Sequence, residues 1–78
     1  MANMFKTRYS RRYRQFLNAL CAARESAGLT QVELAKRLRV SQSWVSKCER
    51  GQRRLDVVEL EIWCAALGLE AAQFLESF

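Results

Sequence analysis

The stretch Val40 to Gly51, VSQSWVSKCERG, interleaves side chains that hydrogen-bond with side chains that avoid water. At roughly 100° per residue, a helix starting at Gln42 gathers Trp44, Val45 and Cys48 on one arc and Gln42, Ser43, Ser46, Lys47 and Arg50 on the other, with Glu49 at the boundary. The first arc can dock on a core. The second carries amide, hydroxyl and cationic groups and no carboxylate, which is unusual for a helix that is merely solvated, because such a helix normally mixes both signs of charge.

Other chemistries are poorly supplied. The chain has no histidine, no phosphate-binding glycine loop and no carboxylate pair in a recognisable apolar setting, so an enzyme is not expected. Cys21, Cys48 and Cys64 are odd in number and widely spaced, which gives neither a disulfide framework nor a metal-binding pair. No metal or other cofactor is expected. Cys48 beside Lys47 and Arg50 has the neighbours of an activated thiol, but it lies on the inner arc, and all three cysteines sit among apolar helical neighbours as buried thiols do.

Charge is unevenly distributed along the 78 residues. All thirteen Lys and Arg fall in residues 1 to 54 against three carboxylates, Glu25, Glu33 and Glu49, a net +10. Residues 55 to 78 carry no base and five acids, Asp56, Glu59, Glu61, Glu70 and Glu76, a net −5. Such polarity predicts one electropositive surface suited to a polyanion and a separate acidic, apolar third available to a protein partner.

The elements that must position these residues read as all-α. Proline is absent, only three glycines occur, and Ala, Leu, Arg and Glu are abundant. The length suits a single domain, 1–78, and there is neither a leader pattern nor an apolar run long enough to span a bilayer, so no membrane partner and a cytoplasmic location are expected. Ser10 can cap a first helix running to about Ala27, with Gly28 ending it, and residues 1–9 read as a basic N-terminal arm; the spacing of Phe5 and Tyr9 would also allow an earlier start. Thr30 and Glu33 form a capping box for a second helix with Leu34, Ala35 and Leu38 inside. Arg39, Val40 and Ser41 make a short connection, and Ser41 caps the segment quoted above. Asp56 and Glu59 repeat the capping logic for a fourth helix to about Leu67, ended by Gly68, and a closing helix occupies about Ala71 to Ser77 within residues 70–78.

Helix, short turn and a second helix with a polar outer face is a helix-turn-helix arrangement. The segments GLTQVELAKRL, VSQSWVSKCERG and LDVVELEIWCAALGL together resemble the Cro and lambda-repressor-like, or XRE, family over about residues 24–75. The resemblance implies a compact five-helix bundle with the helix-turn-helix in helices 2 and 3, and a sequence-specific double-stranded DNA-binding regulator, of phage or mobile-element repressor type or a restriction–modification controller. The recognition helix would be residues 42–50, with Gln42, Ser43, Ser46 and Lys47 at base edges: Gln can pair bidentately with adenine, Lys can donate to guanine, and Ser is permissive. Gln31, Arg39, Trp44, Arg50, Arg53 and Arg54 would meet phosphates, and Arg24 with Glu49 would form a partly buried ion pair. Arg39 stands where the family usually has glycine, and Cys48 where it usually has a larger apolar residue. Val58 and Ile62 fall off the buried face of the fourth helix and, with Leu75 and Phe78, form a candidate homodimer contact. A protein-binding role, as antitoxin or adaptor, is the alternative reading.

Overall fold

The computed structural model describes the backbone from Asn3 and the side chains from Arg11, in both cases through Phe78. Its helices are α1 (Asn3–Ser26), α2 (Gln31–Leu38), α3 (Gln42–Glu49), α4 (Val57–Ala66) and α5 (Ala71–Glu76), and no strand occurs among the described residues. α1 begins a full two turns before Ser10, so Ser10 is an interior helical residue and not a cap. The expected arm is accordingly helical from Asn3 onward; Met1 and Ala2 lie outside the described residues. No glycine or proline interrupts residues 3–26, so nothing stops the helix there.

α2, α3 and α4 each start on a side-chain cap, whereas α5 has none. Thr30 Oγ1 accepts from the Glu33 amide at 3.1 Å while the Glu33 carboxylate accepts from the Thr30 amide at 2.8 Å. Asp56 and Glu59 form the same reciprocal box on α4, and Ser41 accepts from the Trp44 amide on α3. Such caps matter because a helix of eight residues cannot be stable alone, and each cap contributes about 1 kcal/mol.

The ends are equally regular. α1, α2, α3 and α4 all close with the paired backbone bonds of a Schellman motif, as in Gln52 N–H to Lys47 carbonyl at 2.9 Å and Gly51 N–H to Cys48 carbonyl at 3.1 Å. That closure needs one left-handed residue. At three of these ends it is a glycine, but at the end of α2 it is Arg39, with φ 58° and ψ 44°. Arg39 thus fixes the sharp turn between α2 and α3 at the cost of a strained side-chain-bearing residue.

The five helices enclose one core: Phe16, Leu17 and Leu20 from α1, Leu34 and Ala35 from α2, Val45 and Cys48 from α3, Leu60, Trp63 and Cys64 from α4, and Phe74 from α5. Fully burying side chains of this kind stabilises by about 1.5–3 kcal/mol each, so α3 is held by its inner arc and not by its own helix propensity. Burial also pushes the Cys48 and Cys64 thiols up from their ordinary range, which keeps them as inert packing groups.

Phe78 belongs to this packing and not to an exposed dimer contact. Its ring lies 5.4 Å from that of Phe74 and 6.1 Å from that of Phe16, and the Arg12 guanidinium sits 4.2 Å above it. Arg12 also donates to the Phe78 carbonyl at 2.8 Å. A terminal aromatic next to an open core edge gains more by folding back than by staying in water.

The strain at Arg39 generates a stability prediction. Arg39→Gly should be neutral or stabilising by up to ~1 kcal/mol, the relief of the left-handed backbone outweighing the entropy gained by the unfolded chain. Equilibrium urea unfolding of the two proteins checks this, and a clear destabilisation would contradict it.

Candidate nucleic-acid interface

The polar arc of α3 is positioned from behind by an ion pair. Arg24, near the end of α1, places Nε 2.7 Å from Glu49 Oε2 and Nη2 3.2 Å from Oε1, a two-point contact with both side chains at most 10% exposed. Two further donors of Arg24 are used as well: Nη1 bonds the Leu29 carbonyl at 2.8 Å, and Nη2 lies 3.5 Å from Cys21 Sγ. The Glu49 carboxylate raises the Arg24 pKa further, which holds the guanidinium in its charged form. A buried two-point pair fixes geometry firmly, because displacing either partner strands the other charge.

From Glu49 the bonding continues outward. Gln31 Nε2 donates to Glu49 Oε1 at 2.9 Å, and Gln42 Nε2 donates to Gln31 Oε1 at 2.6 Å. Gln31 is the first residue of α2 and Gln42 the first of α3, so the chain Arg24, Glu49, Gln31, Gln42 links α1, both ends of α3 and the start of α2. Each amide nitrogen carries two N–H groups and spends one here. Gln42 therefore keeps one N–H beside its carbonyl oxygen, the donor and acceptor pair that adenine accepts in the major groove. Gln31, half-buried at the start of α2, likewise keeps one N–H of its amide.

Gln42, Ser43 and Lys47 are exposed along one side of α3, with Ser46 half-buried beside them. Glu49, the one acid in α3, is withdrawn into the ion pair, which leaves that side without a negative charge. Arg39 is exposed at the turn and Arg50 at the end of α3, where its Nη2 makes only a long 3.4 Å contact with Gln52. Arg54 is exposed and its guanidinium lies 4.5 Å above the Tyr13 ring.

Two residues expected at phosphates are placed otherwise. Arg53 binds the Glu59 carboxylate with both amino groups, at 2.7 and 3.1 Å, and donates to the Arg54 carbonyl at 3.0 Å. It also covers Trp44, with the guanidinium carbon 4.8 Å from the ring centre. This pairing raises the Arg53 pKa and holds the Glu59 carboxyl below its usual range, the Asp56 amide lowering it further. Arg53 is therefore a tie from the loop to α4, with its side chain 40% exposed. Trp44 is half-buried, sandwiched between Arg53 and Trp63, whose ring centre is 6.2 Å away. Its role in the structure is packing.

Sequence reasoning did not find the Gln31–Gln42 bond or the Arg53–Glu59 pair. The second had a readable signal, an arginine shortly before a capping-box glutamate. The first joins two side chains eleven residues apart and needed the turn geometry set by Arg39.

A basic face built on the second of two capped helices, with a left-handed turn between them, defines a helix-turn-helix protein. Residues 15–76 match the helix-turn-helix domain family, and the chain belongs to it. Among solved structures it is similar to an XRE-family like protein from Pseudomonas syringae pv. tomato, with 44% identity over 95% of this chain and 90% of that one and a TM-score of 0.89. It is also similar to the clp gene regulator ClgR from Corynebacterium glutamicum, with 37% identity over 77% of this chain and 64% of that one and a TM-score of 0.71. The all-helical architecture is thus that of an XRE-type helix-turn-helix protein. No curated protein matches the chain.

The ion pair supplies the prediction here. Arg24→Ala and Glu49→Ala should each destabilise by about 3–5 kcal/mol, while the double variant should lose less than the sum of the two, because no unpaired charge then remains buried. A double-mutant cycle by chemical denaturation measures this; small, additive effects would contradict it.

Proposed function

We propose that the protein is a sequence-specific double-stranded DNA-binding transcription regulator that inserts α3 in the major groove, with repression by occupancy of its site as the mode of action. The observation that carries this reading is the outer side of α3, where Gln42, Ser43 and Lys47 are exposed and the one acid of the helix is buried against Arg24. A base-reading surface needs donors and acceptors that no neighbouring carboxylate repels from the phosphates, and this one has them. Membership of the helix-turn-helix family and similarity to ClgR, a clp gene regulator, support it. Phosphate contacts would come from Gln31, Arg39, Arg50 and Arg54, which position the protein without specifying sequence. No helix among the described residues is long and apolar enough to cross a membrane, in keeping with a cytoplasmic partner such as DNA.

We further propose that it acts as a homodimer. Val58 and Ile62, one turn apart on α4, are 57% and 54% exposed, and Leu75 on α5 is 43% exposed, a use of large apolar side chains that a monomer does not need. A two-fold contact would place two recognition helices one turn of DNA apart. The acidic residues of α4 and α5 leave room for a protein partner as a second activity.

Two measurements test these proposals. In salt titrations on a preferred and a random duplex, Lys47→Ala or Gln42→Ala should lose ~1–3 kcal/mol on the preferred duplex and much less on the random one. Arg50→Ala should weaken both about equally and reduce the salt slope by about one unit, whereas Arg53→Ala should act mainly on folding stability. Equal losses on both duplexes for Lys47→Ala and Gln42→Ala would reduce α3 to an electrostatic handle. Sedimentation should find a reversible dimer, and a monomer at high micromolar concentration with and without DNA would rule the dimer out.

A further inference from the structure

The hydrogen bonds that run from Arg24 to Gln42 have a sense that chemistry fixes, and that sense starts at Glu49. Its side chain is 5% exposed and accepts from within the protein: Oε2 from Arg24 Nε at 2.7 Å, and Oε1 from Arg24 Nη2 at 3.2 Å and Gln31 Nε2 at 2.9 Å. A carboxylate has no proton to give, so Gln31 must turn its NH2 end toward Glu49. The Gln31 oxygen is thereby left facing α3, and an amide oxygen can only accept. Gln42 must in turn point its NH2 end at Gln31, as it does in the 2.6 Å bond from Gln42 Nε2 to Gln31 Oε1.

Neither amide can reverse alone. Turning Gln42 over sets two oxygens against each other, and turning Gln31 over sets an oxygen against the buried carboxylate, so either reversal loses a hydrogen bond and leaves two acceptors opposed. The sense matters because the two ends of a glutamine amide are alike in shape and differ only in which one donates. An A·T pair shows the major groove the adenine acceptor N7 and then the adenine donor on N6, and a T·A pair shows them in the opposite order across the groove. An amide held with its NH2 end toward Gln31 matches one order and mismatches the other. A Gln42 amide left to turn freely would accept both.

We propose that Glu49, a positioning residue that touches no base, selects which strand's adenine Gln42 reads, by fixing the sense of the Gln31 and Gln42 amides. The inference rests on the DNA-binding reading given above and adds to it a source of specificity that lies behind the recognition face. The relay needs the carboxylate as a pure acceptor, beyond its part in holding α3. An amide in its place could offer either end to Gln31 and let the whole chain turn over.

Two variants cut the relay at different points. Glu49→Gln replaces the pure acceptor by a group with one donating and one accepting end, and Gln31→Met removes the middle member while leaving the Arg24–Glu49 contact in place. The first arm uses no DNA: nitrogen relaxation of the Gln42 side-chain amide should report an ordered group in the wild type and a mobile one in Gln31→Met. The second arm compares the duplex selected by the wild type with one in which the A·T pair read by Gln42 is reversed to T·A in each half-site. That pair is located as the one whose reversal no longer matters to Gln42→Ala, and the absence of any such pair overturns the proposal. The wild type should favour the selected duplex by roughly 5- to 150-fold, the range that a bidentate pair gives. Each variant, measured at a temperature where circular dichroism shows it folded, should bring that ratio close to one, and Glu49→Gln should not change it in a Gln42→Ala background. A purely structural role would weaken both duplexes by one factor and leave the ratio as it was; that result, or a Gln42 amide already mobile in the wild type, overturns the proposal. If Glu49→Gln does not fold, Gln31→Met decides. A wild type that binds no duplex sinks the DNA-binding reading and this inference with it, whereas a preference that survives in both variants sinks this inference alone.

Discussion

The contact between Arg24 and Glu49 governs the rest of the structure. An eight-residue helix such as α3 has too few internal hydrogen bonds to fix its own rotation, and its apolar arc of Val45 and Cys48 constrains it only where it meets the core. The two-point bond from Arg24 to Glu49 sets the rotation at the far end, and the chain through Gln31 sets it at the near end. The same contact has an electrostatic consequence. It neutralises the one acid of α3 inside the protein, so the outer side presents only donors, acceptors and positive charge. Folding and function here use a single interaction, because the residue that holds the helix is also the residue that would spoil its surface if it faced outward.

The arginines divide their labour by what lies within reach. Arg24 and Arg53 each find a carboxylate and become ties, one between α1 and α3, the other between the loop and α4. Arg12 donates to the Phe78 carbonyl, and Arg37 to the carbonyl of Ala66 at the end of α4. Arg14, Arg39 and Arg50 are exposed at the surface. Total charge says little about this; the placement of Glu49 and Glu59 decides which cations stay available.

Much of the fold was legible in the sequence because its local signals agree with one another. The Thr30–Glu33 and Asp56–Glu59 boxes, the Ser41 cap and the glycines at 28, 51 and 68 each mark an end that the structure has. What sequence could not give was long-range competition. Arg53 looked like Arg50 and Arg54 until Glu59 was seen beside it, Phe78 looked exposed until the core edge of Phe16 and Phe74 was seen to receive it, and Ser10 looked like a cap because nothing local shows that the preceding residues already continue the helix. The left-handed Arg39 was legible only through the family resemblance, since arginine by itself gives no reason to expect that backbone.

Held in this rotation, α3 would present Gln42 and Lys47 to base edges. Selection of bound duplexes from a random pool by the wild-type protein addresses it most directly. The expected result is enrichment of one near-palindromic sequence whose half-sites are centred about 10–10.5 base pairs apart, with the informative positions confined to the half-sites. Retention of duplex with no enriched sequence would contradict it, leaving a basic helix that grips DNA without reading it.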